Sequence, residues 1–156
     1  MKSIRNNFFN LVAVFVFVSS LQSARADSAS GVSNGVPYNV TYLSNHISGT
    51  VGASSIDMWF ASDHVAGRSM SLGYDIYVRA NRIKGTSFCG QIEYVYDLQY
   101  NEIYGQRCGE IFIRHYNSIA ETQNGAKEFL IYEVTYGLPP DVAGLVRSLT
   151  LQNVAF

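Results

Sequence analysis

The segment from Gly90 to Gln106 (GQIEYVYDLQYNEIYGQ) contains four tyrosines in seventeen residues. A tyrosine hydroxyl can donate a hydrogen bond, ionise at about pH 10 or bind ferric iron as a phenolate. Three carboxylates in the same segment, Glu93, Asp97 and Glu102, could form a general acid–base pair, although solvated charges on a strand edge and a turn explain them more simply. The phenols are therefore the first candidates for chemistry.

Three histidines are the other candidates for ligation. His115 lies within a predicted strand, His46 lies in a predicted loop, and His64 follows the apolar segment Ile56–Phe60 in another predicted loop. An ordinary exposed or hydrogen-bonded histidine is the alternative at each position. The sequence has no G-x-S-x-G, H-E-x-x-H or P-loop motif, so these residues indicate no enzyme class.

The elements that would position these residues are mostly strands. Aromatic and β-branched residues predict five of them, over Pro37–Leu43, Ser71–Arg79, Phe88–Asp97, Gly105–Tyr116 and Lys127–Tyr136. A short helix is predicted over Ser54–Asp63. A longer one begins near Pro140, where apolar residues recur at i, i+3, i+4 and i+7. We expect an α+β domain with no internal repeat.

The amino terminus has the pattern of a Sec-type signal peptide over residues 1–26. Lys2 and Arg5 precede the apolar run FFNLVAVFVFV, and Ala24-Arg25-Ala26 fits a cleavage site. We therefore expect an exported chain, periplasmic or secreted, with a flexible lead-in over residues 27–36 and a single domain over residues 37–156.

The mature chain would carry a formal charge of 8 − 12 = −4, which argues against nucleic acid as a partner. No later segment is apolar enough for membrane insertion.

Cys89 and Cys108 are the only cysteines, and in an exported chain they most simply form a disulfide. A pair of buried free thiols is the alternative. A hairpin turn near Leu98–Gln99 would place the two cysteines opposite each other, and it would place Tyr94 opposite Ile103.

Three segments resemble the HasA-type haemophores, secreted proteins that capture haem and deliver it to an outer-membrane receptor. They are Tyr74–Tyr94 (YDIYVRANRIKGTSFCGQIEY), Ile103–Ile113 (IYGQRCGEIFI) and Tyr132–Leu149 (YEVTYGLPPDVAGLVRSL), and they occur in the family's order. The resemblance implies a curved antiparallel sheet with helices packed on one face. It also implies that the protein is a haem carrier and not an enzyme, with ferric haem b as cofactor and a TonB-dependent outer-membrane receptor as partner.

The resemblance also implies the haem ligands. The family's ligand tyrosine corresponds to Tyr94 and its loop histidine to His64, and these two residues would be the axial ligands of the haem iron. Asn101 stands where the family usually has a second histidine beside the tyrosine. An asparagine can accept the phenol hydrogen bond but cannot take up its proton, so we expect weaker support for a phenolate. Expected contacts with the porphyrin are Tyr96, Val65 and Met70, and packing within the core is the alternative for these three residues.

A haemophore relative that kept the fold but lost haem is one alternative, and a binding module without haem is another. The tyrosines could then serve as stacking platforms in a carbohydrate-binding domain or in a periplasmic inhibitor.

Overall fold

The computed structural model describes residues 26–156, so the predicted signal peptide lies outside the described residues except for Ala26. Ten strands form one antiparallel sheet whose spatial order follows the chain, and two helices come after them. The elements are β1 Asp27–Ser33, β2 Val36–Tyr42, β3 His46–Val51, β4 Ser54–Ala61, β5 His64–Ser69, β6 Leu72–Arg79, β7 Arg82–Ser87, β8 Gly90–Asp97, β9 Glu102–Arg107, β10 Glu110–His115, α1 Ile119–Thr135 and α2 Pro140–Asn153.

One face of the sheet is covered by the helices, and the alternation of residues along each strand decides which side chains lie there. In β4, Ile56, Met58 and Phe60 are buried, whereas Asp57 and Trp59 are exposed. Helix α1 packs against β7, β8 and β9, and α2 packs against β4. We call the covered side the inner face and the other side the outer face. The predicted α+β class is confirmed.

The sheet is built from a repeated hairpin, so the expectation of no internal repeat was wrong. Gly49, Gly67 and Gly85 occupy equivalent positions in β3, β5 and β7, with spacings of 67 − 49 = 18 and 85 − 67 = 18 residues. The repeat is carried by glycine positions and by alternating burial, and few residues are identical between its copies. Comparison of residue identities therefore misses it.

The repeated glycine is required by a close approach between strands. Gly67 has φ +138°, and a Cβ added there would lie 2.1 Å from the Asp57 carbonyl oxygen and 2.8 Å from Met58 Cα. An L-residue at this position would clash with its neighbour and would hold an unfavourable backbone conformation. The same clash with the preceding strand recurs at Gly49, Gly85 and Gly105.

The helix predicted over Ser54–Asp63 is strand β4, and that prediction was wrong. Its apolar residues, Ile56, Met58 and Phe60, recur with period two, which places them on one face of a strand. The exposed Trp59 lies between the buried Met58 and Phe60, and it hides this period-two pattern in the sequence.

The strand predicted over Lys127–Tyr136 was also wrong, because most of this segment belongs to α1. The buried residues Ala126, Leu130 and Val134 are four apart, as a helix requires. The Ser118 hydroxyl caps the helix by accepting a hydrogen bond from the Glu121 amide. The helix predicted from Pro140 is confirmed as α2.

The flexible lead-in expected at residues 27–36 is instead strand β1 and the turn into β2. β1 pairs with β2 along its whole length, from Asp27 opposite Tyr42 to Ser33 opposite Val36. Its small polar residues suggested disorder. A strand ladder, however, is formed by backbone groups, and the apolar neighbour β2 supplies the burial.

The hairpin of β8 and β9 forms where it was predicted, and Cys89 and Cys108 form a disulfide beyond the open ends of its strands. The strand register differs from the predicted one, because the partner of each residue is shifted by two positions. Tyr94 lies opposite Gly105, not Ile103. The turn spans residues 98–101, and the amides of Gln99 and Tyr100 donate to the Asp97 carboxylate. A disulfide fits an oxidising compartment.

Neither helix of the described residues is long and apolar enough to cross a membrane.

Candidate functional site

Tyr94 lies on the inner face and is fully buried between the sheet and α1. Its ring packs against Phe112 and Phe129, with centroids 5.4 and 5.1 Å away. Its hydroxyl donates a hydrogen bond to the Glu133 carboxylate of α1. The phenol predicted to bind iron is thus part of the core and already has a partner.

Glu133 is the residue of this cluster that sequence reasoning missed. It is fully buried, and Arg107 Nε donates to its Oε1 at 2.7 Å. Burial, and then the hydrogen bond and negative charge of Glu133, raise the pKa of Tyr94 well above its ordinary value of 10.0. The carboxylate therefore holds Tyr94 in its neutral form. Its position four residues after Phe129 on the helix was hidden because this segment was predicted to be a strand.

His64 lies at the start of β5 with its side chain on the outer face. Its Nε2 is 2.7 Å from Asp75 Oδ1, and its ring stacks on Tyr77 with centroids 4.1 Å apart. Tyr94 and His64 therefore lie on opposite faces of the sheet. The structure does not bring the two predicted ligands together.

The remaining predicted site residues are distributed over β5, β8 and two turns. Asn101 is in the turn between β8 and β9. Its backbone carbonyl accepts from Tyr116, and its Oδ1 has no hydrogen-bond partner among the described residues. Val65 and Tyr96 are buried in the core, and the Tyr96 hydroxyl donates to the Ala80 carbonyl. Met70 is half-buried in the turn between β5 and β6. No group of three or more His, Cys, Asp or Glu side chains in residues 26–156 is placed to hold a metal ion.

Histidine, carboxylate and aromatic side chains instead lie together on the outer face, where successive hairpins repeat one arrangement. In the β3–β4 hairpin, His46 stacks on Trp59 with centroids 3.7 Å apart and an interplanar angle of 15°. His46 Nε2 is 2.7 Å from Asp57 Oδ1. Trp59 remains 51% exposed. The stack and the hydrogen bond fix the orientation of the indole ring.

The β5–β6 hairpin carries the same three groups eighteen residues later, as His64, Asp75 and Tyr77. The guanidinium of Arg79 lies over the Tyr77 ring at 4.9 Å and donates through Nε to Asp63 Oδ2 at 3.1 Å. The Tyr77 ring is therefore contacted by both a histidine ring and a guanidinium.

The β7–β8 hairpin replaces the histidine and aspartate by Arg82 and Glu93, which form an ion pair. Lys84 Nζ is 3.2 Å from Glu93 Oε2. The hydrogen bond with Lys84, followed by that with Arg82, lowers the pKa of Glu93. The two cations share one carboxylate, so Arg82, Lys84 and Glu93 together carry a formal charge of 2 − 1 = +1.

Two hollows open on the outer face at equivalent places in the repeat. One, of about 680 Å³, lies between β4 and β5 and includes Asp57, Trp59, Gly67 and Arg68 in its lining. The other, of about 530 Å³, lies between β6 and β7, and its lining includes the equivalent residues Asp75, Tyr77, Gly85 and Thr86. Each hollow thus combines an aromatic ring, a carboxylate and a glycine.

Comparisons of this chain with protein-family models, with curated proteins and with solved structures found no match. The repeated arrangement on the outer face is therefore the feature from which function is inferred.

Proposed function

We propose that this protein is a binding module that takes an extended, uncharged polysaccharide along the outer face of its sheet. The single observation that carries the proposal is the recurrence of one hollow, lined by an aromatic ring and a carboxylate, in two successive repeats.

The geometry of the repeat favours a polymeric ligand. Equivalent hollows are two strands apart, which corresponds to about 9.6 Å because neighbouring strands lie about 4.8 Å apart. Two linked sugars in an extended chain span a similar length. A polysaccharide could therefore place equivalent units in both hollows at once, and its affinity would rise with chain length.

The chemistry of the hollows suits sugars. Trp59 and Tyr77 offer flat apolar surfaces for the C–H face of a sugar ring. Asp57 can accept hydrogen bonds from hydroxyl groups, and Arg68 can donate them. Arg68 makes no ion pair within residues 26–156. Around the second hollow the three cations Arg79, Arg82 and Lys84 are balanced by three carboxylates, which favours an uncharged ligand over an acidic one; the carboxylates are Asp63, Asp75 and Glu93.

The haem-carrier function and the likeness to the HasA-type haemophores stay predictions, and so does export by a signal peptide. The ligand pair on which haem capture depends is split between the two faces, so it lends the haem hypothesis no geometric support. The outer face supports the alternative of a carbohydrate-binding module better.

The single tryptophan of the chain provides a direct test. Purified protein is titrated with cello-, xylo- and chito-oligosaccharides of two to six units while Trp59 emission is followed. We expect saturable changes in emission, with affinity rising between two and four units as the second hollow is filled. The variant Tyr77→Ala should lose about tenfold in affinity for the longest ligand, equivalent to about 1.4 kcal/mol.

The matched control is Tyr100→Ala, which removes a tyrosine that is 65% exposed in a turn and contributes to neither hollow. Its affinity should equal that of the wild-type protein. Absence of a saturable emission change with every oligosaccharide would contradict the proposal. Equal losses in Tyr77→Ala and Tyr100→Ala would also contradict it, because binding would then not depend on the hollows.

A further inference from the structure

Strand β10 forms one edge of the sheet, and in residues 26–156 it pairs only with β9. Its sequence from Glu110 to Arg114 is EIFIR. Ile111 is 88% exposed and Ile113 is 58% exposed. An edge strand with free backbone groups and exposed isoleucines is a template for a further strand.

The side chains of β10 alternate between the two faces. Ile111 and Ile113 lie opposite Gln106 and Tyr104 of β9 and share the outer face with them. Phe112 stacks on Phe129 of α1, which places it on the inner face.

Arg114 belongs to the same inner-face set as Phe112, because its guanidinium lies 5.4 Å from the centroid of Phe129. Alternation places Glu110 on the inner face as well. Neither Glu110 nor Arg114 makes an ion pair within the part of the chain that the structure describes.

We propose that β10 is a homodimerisation strand, which pairs antiparallel with β10 of a second copy about a two-fold axis through Phe112. In this register opposed residue numbers sum to 224. Glu110 then lies opposite Arg114 of the second copy, and Ile111 lies opposite Ile113. Each pair occurs twice, because an isologous interface repeats every contact.

In this register both the charged and the apolar side chains of β10 gain favourable partners. The two unpaired charges of each edge meet opposite charges on the same face of the joined sheet. The exposed isoleucines meet each other on the outer face. Cross-strand pairs of both kinds stabilise antiparallel sheets.

The backbone groups are also placed for this register. The amide of Tyr116 donates to the Asn101 carbonyl on the β9 side. Because hydrogen-bonding direction alternates along an antiparallel strand, the backbone groups of Ile111 and Ile113 point away from β9. These two residues are opposed across the two-fold axis, so they can exchange four hydrogen bonds in total.

Helix α1 packs mainly under β7, β8 and β9, and it meets β10 through Phe129, which contacts Phe112 and Arg114. Both copies would carry their helices on the same side of one continuous sheet. The outer faces would likewise be joined.

The test is sedimentation analysis of the protein over a concentration series, with charge variants of β10. We expect a monomer–dimer equilibrium for the wild-type protein. Glu110→Arg and Arg114→Glu should each weaken dimerisation at least tenfold, because each places like charges opposite one another. An equimolar mixture of the two variants should form a heterodimer, since every cross-pair then joins a guanidinium to a carboxylate. Ile113→Pro, which removes an amide that points away from β9, should be monomeric with an unchanged circular dichroism spectrum.

Three results would overturn the proposal. If the wild-type protein is monomeric at every concentration of the series, β10 is not a homodimerisation strand. A dimer that both charge variants leave unchanged is held by another surface. Open-ended oligomers that grow with concentration indicate head-to-tail pairing of β10 with β1. None of these results depends on polysaccharide binding.

Discussion

The Tyr94 hydroxyl donates a hydrogen bond to the Glu133 carboxylate where the sheet meets α1, and both side chains are fully buried. Arg107 donates to the same carboxylate oxygen from the edge of the core. Tyr74 is 4% exposed, and its hydroxyl has no hydrogen-bond partner among the described residues. The two buried tyrosines therefore differ, because only the Tyr94 hydroxyl donates a hydrogen bond to the buried carboxylate.

Replacing each phenol by phenylalanine should reveal this difference. Tyr94→Phe leaves Glu133 with one donor fewer in a buried site, so the free energy of unfolding should fall by about 2 kcal/mol. Tyr74→Phe removes an unsatisfied hydroxyl, so it should change stability by less than about 0.5 kcal/mol or raise it. Urea unfolding at pH 7 measures both. Equal losses in the two variants would show that the carboxylate does not depend on Tyr94.

Stability should fall in alkaline solution because the folded protein resists ionisation of its buried tyrosines. Burial, and then the negative charge of Glu133, raise the pKa of Tyr74 to about 12, against 10.0 for an ordinary tyrosine. The pKa of Tyr94 is raised as well. A group with a raised folded-state pKa contributes its full stability below the unfolded pKa and loses it as pH rises through the folded one. The loss should therefore begin near pH 10.0 and continue to about pH 12.

The midpoint urea concentration of unfolding, measured across this pH range, tests the predicted loss of stability in alkaline solution. Tyr74→Phe should flatten the decline, because the unfolded chain then has one tyrosine fewer to ionise preferentially. Tyr100→Phe, in an exposed turn, is the control and should follow the wild-type curve. If the stability curve of Tyr74→Phe coincides with those of the wild-type protein and Tyr100→Phe, Tyr74 ionises equally in the folded and unfolded states.

Some elements could be predicted from sequence because their signals are local. α2 has Pro140 in its first turn and apolar residues at helical spacing, and the two cysteines bracket a hairpin with a clear turn. The segment that became α1 is rich in aromatic and β-branched residues, so local preference favoured a strand, and packing against the sheet decided for a helix.

The candidate site was less predictable because it depends on register. His64 and Asp75 meet only when β5 and β6 pair in one alignment, and a shift of one residue would move His64 to the other face. Nothing local specifies that alignment. The resemblance that singled out Tyr94 and His64 carried no information on which face each residue occupies.

The repeated glycine should be intolerant of substitution. Gly67→Ala would bring a Cβ to 2.1 Å from the Asp57 carbonyl oxygen at a positive φ, so we expect a loss of about 2–3 kcal/mol in the free energy of unfolding. Gly144→Ala is the matched control. Gly144 lies within α2, and among the described residues no atom beyond the adjoining part of its own helix lies within 4 Å of the added Cβ, so alanine should stabilise the helix by about 0.5–1 kcal/mol. Opposite signs in thermal unfolding are the expected result. A tolerated Gly67→Ala would mean that β4 and β5 can separate without cost.

Hemin titration separates the haem prediction from the proposed function. Because Tyr94 is buried on the inner face and His64 lies on the outer face, no single haem can bind both without rearrangement of the sheet. We expect wild-type protein, His64→Ala and Tyr94→Phe to give the same Soret spectrum on addition of hemin. His64→Ala is the decisive variant, because it alters an exposed pair and leaves the core intact. A sharp Soret band that appears with wild-type protein and disappears in both folded variants would establish Tyr94 and His64 as ligands and would require the sheet to open around haem.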